Sequence, residues 1–81
     1  MSVKNEVSTI VRNSVYECNK VIDGLDTIVH NLVTAFEISD NHKEVNDAMP
    51  ISIYEALALA EKAQRDIRKA NKILDIVKSK L

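Results

Sequence analysis

Apolar residues return every seven positions in each half of the chain, and this spacing restricts an 81-residue sequence almost entirely to paired helices. In the first half Val11, Cys18, Leu25 and Leu32 form one series, and Val7, Ser14, Val21, Ile28 and Ala35 alternate with it in steps of four and three. Val15, Ile22, Val29 and Phe36 widen the stripe on one side. A face three positions wide suits a helix in a bundle, because a two-stranded zipper needs only a narrow seam. In the second half Ile53, Ala60, Ile67, Leu74 and Leu81 alternate with Ala56, Ala63, Ala70 and Val77. Alanines at seam positions let a neighbouring backbone come close while the large series fills the space opposite. The pattern predicts an all-α fold: one domain over 1–81, an antiparallel helical hairpin that self-associates into a four-helix bundle or higher oligomer.

The first helix is expected over about 3–38, with Ser2 as its N-cap. Gly24 falls inside it and predicts a slight bend or a close backbone contact. A polar linker follows over 39–50 and ends in the only proline, Pro50, which biases Met49 away from helix. Ser52-Ile53-Tyr54-Glu55 has the form of a capping box, so the second helix is expected over about 52–80. Two helices shield only part of each other. Leu57, Leu59, Ile73 and Ile76 flank the main stripe of the second helix, and with Ala63 they are the candidate oligomer interface.

Catalytic chemistry has little to work with. The chain holds no His-Glu-x-x-His, no pair of cysteines and no glycine-rich phosphate loop, since Gly24 is its only glycine. His30 falls on the polar side of the first helix and His42 in the linker, neither at a metal-ligand spacing from other donors. Glu17, Asp23 and Asp26 lie on an exposed face with no apolar pocket to raise a pKa. A non-enzymatic chain without metal or cofactor is expected. Cys18 has no cysteine to pair with, and its place on the stripe makes it a small buried hydrophobe. No apolar run approaches the roughly 18 residues that span a bilayer, and the first residues lack the order of a signal peptide, so a cytoplasmic location is expected. Isoleucine, asparagine and lysine supply nearly a third of the chain, the usage that AT-rich codons give, which points to a low-GC bacterium or its phages.

With a net charge of -1, bulk attraction to nucleic acid is not implied, but the charges are unevenly spread. Residues 1–60 carry nine acids against four bases, and 61–81 carry three acids against seven bases. Lys62, Arg65, Arg68, Lys69 and Lys72 recur at helical spacing as a candidate anion-binding strip; the alternative is a solvated face that also suits the helix dipole. Aromatic stacking partners are scarce, which disfavours single-strand base readout. Gln64 and Asn71, one heptad apart beside the second seam, would fix register if buried in an oligomer.

The hairpin format is similar to the small helical proteins that dimerise into four-helix bundles, among them a plasmid-encoded RNA-binding regulator, although no motif of that regulator is present. The stretch Glu55-Ala56-Leu57-Ala58-Leu59-Ala60-Glu61-Lys62-Ala63 resembles the C-terminal hairpin of phage proteins that sequester cyclic-nucleotide immune signals. The tryptophan usual in those hairpins is missing. The expectation is an interaction protein: an adaptor, inhibitor or regulator of a macromolecule, working as a homo-oligomer. The alternative drawn from the basic strip and the second resemblance is a sponge for a cyclic nucleotide or other phosphorylated ligand, or a nucleic-acid-binding regulator.

Overall fold

The computed structural model describes residues 2–42 and 48–81, and these form two long helices, α1 (Val3–Asn41) and α2 (Ala48–Ser79). Residues of early α1 meet residues of late α2: Asn71 Nδ2 donates to Asn19 Oδ1 (3.1 Å), and Arg68 Nη2 to Asp26 Oδ1 (2.7 Å). Farther along, the rings of Phe36 and Tyr54 lie 5.9 Å apart. The helices are therefore antiparallel, and the hairpin is a rod of 64 × 14 × 14 Å.

Ser2 caps α1 as its position predicts. Its extended backbone (φ -79°, ψ 155°) turns the side-chain oxygen to accept from the Asn5 amide at 3.2 Å, satisfying one of the donors that the first turn leaves without a helical partner. Within α1 the hydroxyls of Thr9, Ser14, Thr27 and Thr34 each donate to the carbonyl four residues back, so these side chains sit in a helix without competing for its amides. At the far end the His42 amide donates to the Ser39 carbonyl.

The helix ends differ from the sequence expectation in three places. α1 continues through Ser39, Asp40 and Asn41, where the sequence predicts linker. α2 begins at Ala48, so Met49 and Pro50 are helical and Ser52-Glu55 is not the start. Proline is tolerated in a first turn because its missing amide hydrogen would have had no partner there, and its fixed φ already suits a helix. The remainder of the expected linker, residues 43–47, lies outside the described residues. At Gly24 the helix runs on with ordinary φ, and a Cβ built there meets nothing within 4 Å, so the close contact expected at this glycine is not present within the hairpin.

The seams also differ from the expected pairing. On α1 the protected seam side chains are Ser8, Val11, Val15, Cys18, Ile22, Leu25, Val29, Leu32, Phe36 and Ser39, with Ser14 and Ala35 half-buried beside them, so the series expected to widen the stripe is half of the seam itself. On α2 they are Pro50, Ile53, Leu57, Ala60, Gln64, Ile67, Asn71 and Leu74, with Ala70 half-buried beside them. Writing each seam as heptad positions a and d, both series beside them, Val7-Ser14-Val21-Ile28-Ala35 and Ala56-Ala63-Ala70-Val77, occupy position g on the outer flank. The reason is size. Val15, Ile22, Val29 and Phe36 remove more apolar area from water than Ser14 and Ala35 would, and Leu57 more than Ala56.

Candidate interaction surface

Position e of both helices lies on one flank of the rod and position g on the other, since antiparallel helices pair like with like. The Asp26–Arg68 bond joins two e positions and identifies the polar flank. Gln64 Nε2 also donates to Asp26 Oδ1, at 2.6 Å, and the hydrogen bonds from Arg68 first and Gln64 second hold the Asp26 carboxyl below the ordinary aspartate range, outweighing partial desolvation. Gln64 and Asn71, expected beside the seam, are members of it, and they are met by Asp26 and Asn19 of the same chain. The Asn71 Oδ1 is shut from water and has no hydrogen-bond partner among the described residues.

The opposite flank is mostly apolar. On α1 it runs Val3, Val7, Ile10, Ser14, Glu17, Val21, Gly24, Ile28, Asn31, Ala35 and Ile38, in steps of four and three without a break. On α2 it runs Met49, Ser52, Ala56, Leu59, Ala63, Asp66, Ala70, Ile73 and Val77. Glu17 and Asp66 are its only charged residues within the two helices, and each is paired locally, Glu17 with Lys20 at 3.7 Å and Asp66 with Lys62 at 2.9 Å. The apolar side chains are open to water: Leu59 is 70% exposed, Ile10 64% and Ile73 60%. An open groove of about 400 Å³ indents this flank, walled by Ile10, Ser14 and Val21 with half-buried Cys18 and Ile67 at its floor.

The candidate interface residues divide between locations. Leu59, Ala63 and Ile73 lie on the apolar flank; Ile76 is exposed on the outer ridge of α2; Leu57, 7% exposed, belongs to the seam inside the hairpin. What the sequence reading missed is the contribution of α1, where Val3, Ile10 and Ile38 complete the same surface. Their spacing from Val7, Val21 and Ile28 was the available signal.

The basic strip is broken up. Arg68 turns toward the helix–helix seam and binds Asp26, and Lys62 binds Asp66, whose carboxyl it holds below the ordinary range. Arg65, Lys69 and Lys72 remain exposed on α2 with no ion pair among the described residues. His30 and His42 are exposed, and no three of His, Cys, Asp and Glu among the described residues gather around one point. No helix among them is long and apolar enough to cross a membrane. Comparison with protein-family models, with curated proteins and with solved structures gave no match.

Proposed function

We propose that this chain is a non-enzymatic helical interaction protein, an adaptor, inhibitor or regulator of a macromolecular partner, and that it acts as a homo-oligomer. The observation that carries the reading is the apolar flank. A compact monomer of 9.1 kDa exposes about 4,900 Å², whereas the described hairpin exposes 6089 Å². Only Val15 and Leu57 among its large apolar side chains are buried. Apolar area left in water is a standing free-energy penalty that association removes, at about 25 cal/mol per Å² before association costs.

The second reading, a binder of phosphorylated ligands or nucleic acid, is favoured by Arg65, Lys69 and Lys72 standing exposed on one ridge. Three cations make a weaker anion site than five, and no aromatic ring stands with them. One titration separates the readings. Binding of RNA, DNA or cyclic nucleotides at physiological salt is expected to give no saturable signal, and the combined change Arg65→Gln, Lys69→Gln and Lys72→Gln is expected to leave the oligomer intact. Saturable, salt-sensitive binding that the triple variant abolishes would install the second reading instead.

A further inference from the structure

We propose that the apolar flank is occupied by a second copy of this chain, related by a twofold axis along the rod so that α1 of each copy packs on α2 of the other. This deepens the homo-oligomer reading and rests on it. Three observations select this occupant and this arrangement. The first is area: a face 64 Å long and 14 Å wide offers on the order of 900 Å² per copy, close to the roughly 800 Å² that each partner of a stable complex contributes. The second is shape. The hydrogen bonds Asp26–Gln64 and Asn19–Asn71 fix which residues stand level, and they set Ile28 level with Ala63, Val21 with Ala70 and Ser14 with Val77. A rotation about the long axis preserves level, so at these three levels a large side chain meets a small one on the partner as well, which is how layers interdigitate, while Ala35 stands level with Ala56.

The third is charge. α1 carries six acids against three bases, and α2 four acids against six bases. In the proposed ring every helix has two neighbours of opposite net charge. The other twofold arrangement, with the axis across the rod, sets α1 on the partner's α1 and α2 on the partner's α2, so that like faces like along 64 Å. A foreign amphipathic helix would lie on the flank too, but it would face a surface built from two helices. A second hairpin has two helices by construction, and a self-complementary patch closes without leaving an edge.

Sedimentation equilibrium and spin-label distances test the proposal. Val21→Glu and Ala63→Glu each place a charge in the interface and are expected to convert a dimer into a helical monomer, while Ala58→Glu, on the outer face of α2, keeps the dimer. Labels at Thr9→Cys, Thr27→Cys and Thr34→Cys in a Cys18→Ala background read the arrangement without disturbing the flank. With the axis along the rod, the two α1 helices are diagonal neighbours at constant separation, and the three outward-facing sites are expected to give closely similar inter-copy distances. With the axis across the rod, the distance grows by about 3 Å per residue away from the dyad, twice the helical rise, and the three sites disagree. Disagreeing distances overturn the arrangement. A wild-type dimer that survives both Val21→Glu and Ala63→Glu overturns the interface and leaves the homo-oligomer reading standing. A wild-type monomer at every concentration overturns both.

Discussion

Asn71→Leu should make the protein more stable, although it deletes the only hydrogen bond between the two asparagines. The Asn71 Oδ1 is enclosed without a partner, a state that costs about 1–3 kcal/mol in lost hydration. The bond that Asn71 donates to Asn19 returns about 0.5–1.5 kcal/mol net. Asn19 is exposed, so water replaces its partner. Leucine at a half-buried seam position adds about 1 kcal/mol, some half of what full burial provides. Overpacking does not cancel this, because so few seam residues are buried that the added methyl groups have room to settle. The balance is about 2 kcal/mol in favour of the variant, a rise of roughly 10 °C in Tm for a chain of this size. Thermal and urea unfolding followed by circular dichroism at one fixed protein concentration measure it. An unchanged or lower Tm, with helix content intact, would mean that the polar layer contributes more to stability than its orphaned oxygen costs, and the reasoning would fail.

Ala63→Leu should lower stability by about 1–3 kcal/mol through overpacking at the proposed dimer interface, whereas Ala58→Leu, on the outer face, should be milder; equal Tm values for the two would place Ala63 on an uncovered surface. Gly24→Ala should raise Tm, because alanine is about 1 kcal/mol better in a helix and its Cβ meets nothing within the hairpin; a lowered Tm would reveal a backbone packed against that point. Arg68 and Gln64 depress the pKa of Asp26 on folding, so whatever the group contributes is present above the ordinary aspartate range and is lost as pH falls through its lowered value. Asp26→Asn should therefore flatten the acid limb of the stability profile, and an unaltered limb would show that the cluster is not formed in solution.

Much of the fold is legible in the sequence because heptad spacing and a serine at position 2 leave few alternatives: two helices, the α1 cap and the antiparallel pairing follow from them. The choice of seam is not. On α1 the series at Val7 and at Val15 stand on either side of Val11, Cys18, Leu25 and Leu32, and both are apolar, so periodicity cannot say which faces the other helix. On α2 the series at Ala56 looks more like a seam than Leu57-Gln64-Asn71, whose two polar members hide it until Asp26 and Asn19 are seen across from them. The start of α2 lies upstream of the expected capping box because Pro50, which biases Met49 away from helix, is itself compatible with a first turn. The basic strip was over-counted for a related reason. Helical spacing shows five recurring cations and also sets Asp66 one turn from Lys62, a pairing the strip ignores, but it does not show that Arg68 meets Asp26 on the other helix.

The central claim, that the apolar flank is covered as part of folding, is tested most directly by the concentration dependence of Tm for the wild-type chain. If folding and dimerisation are one event, raising the concentration a hundredfold adds about 2.7 kcal/mol of stability per dimer by mass action. Tm should then climb by several degrees between about 1 and 100 μM. A Tm that stays fixed across that range, with a full helical signal, would mean that the hairpin stands alone with its flank in water, and would contradict the account.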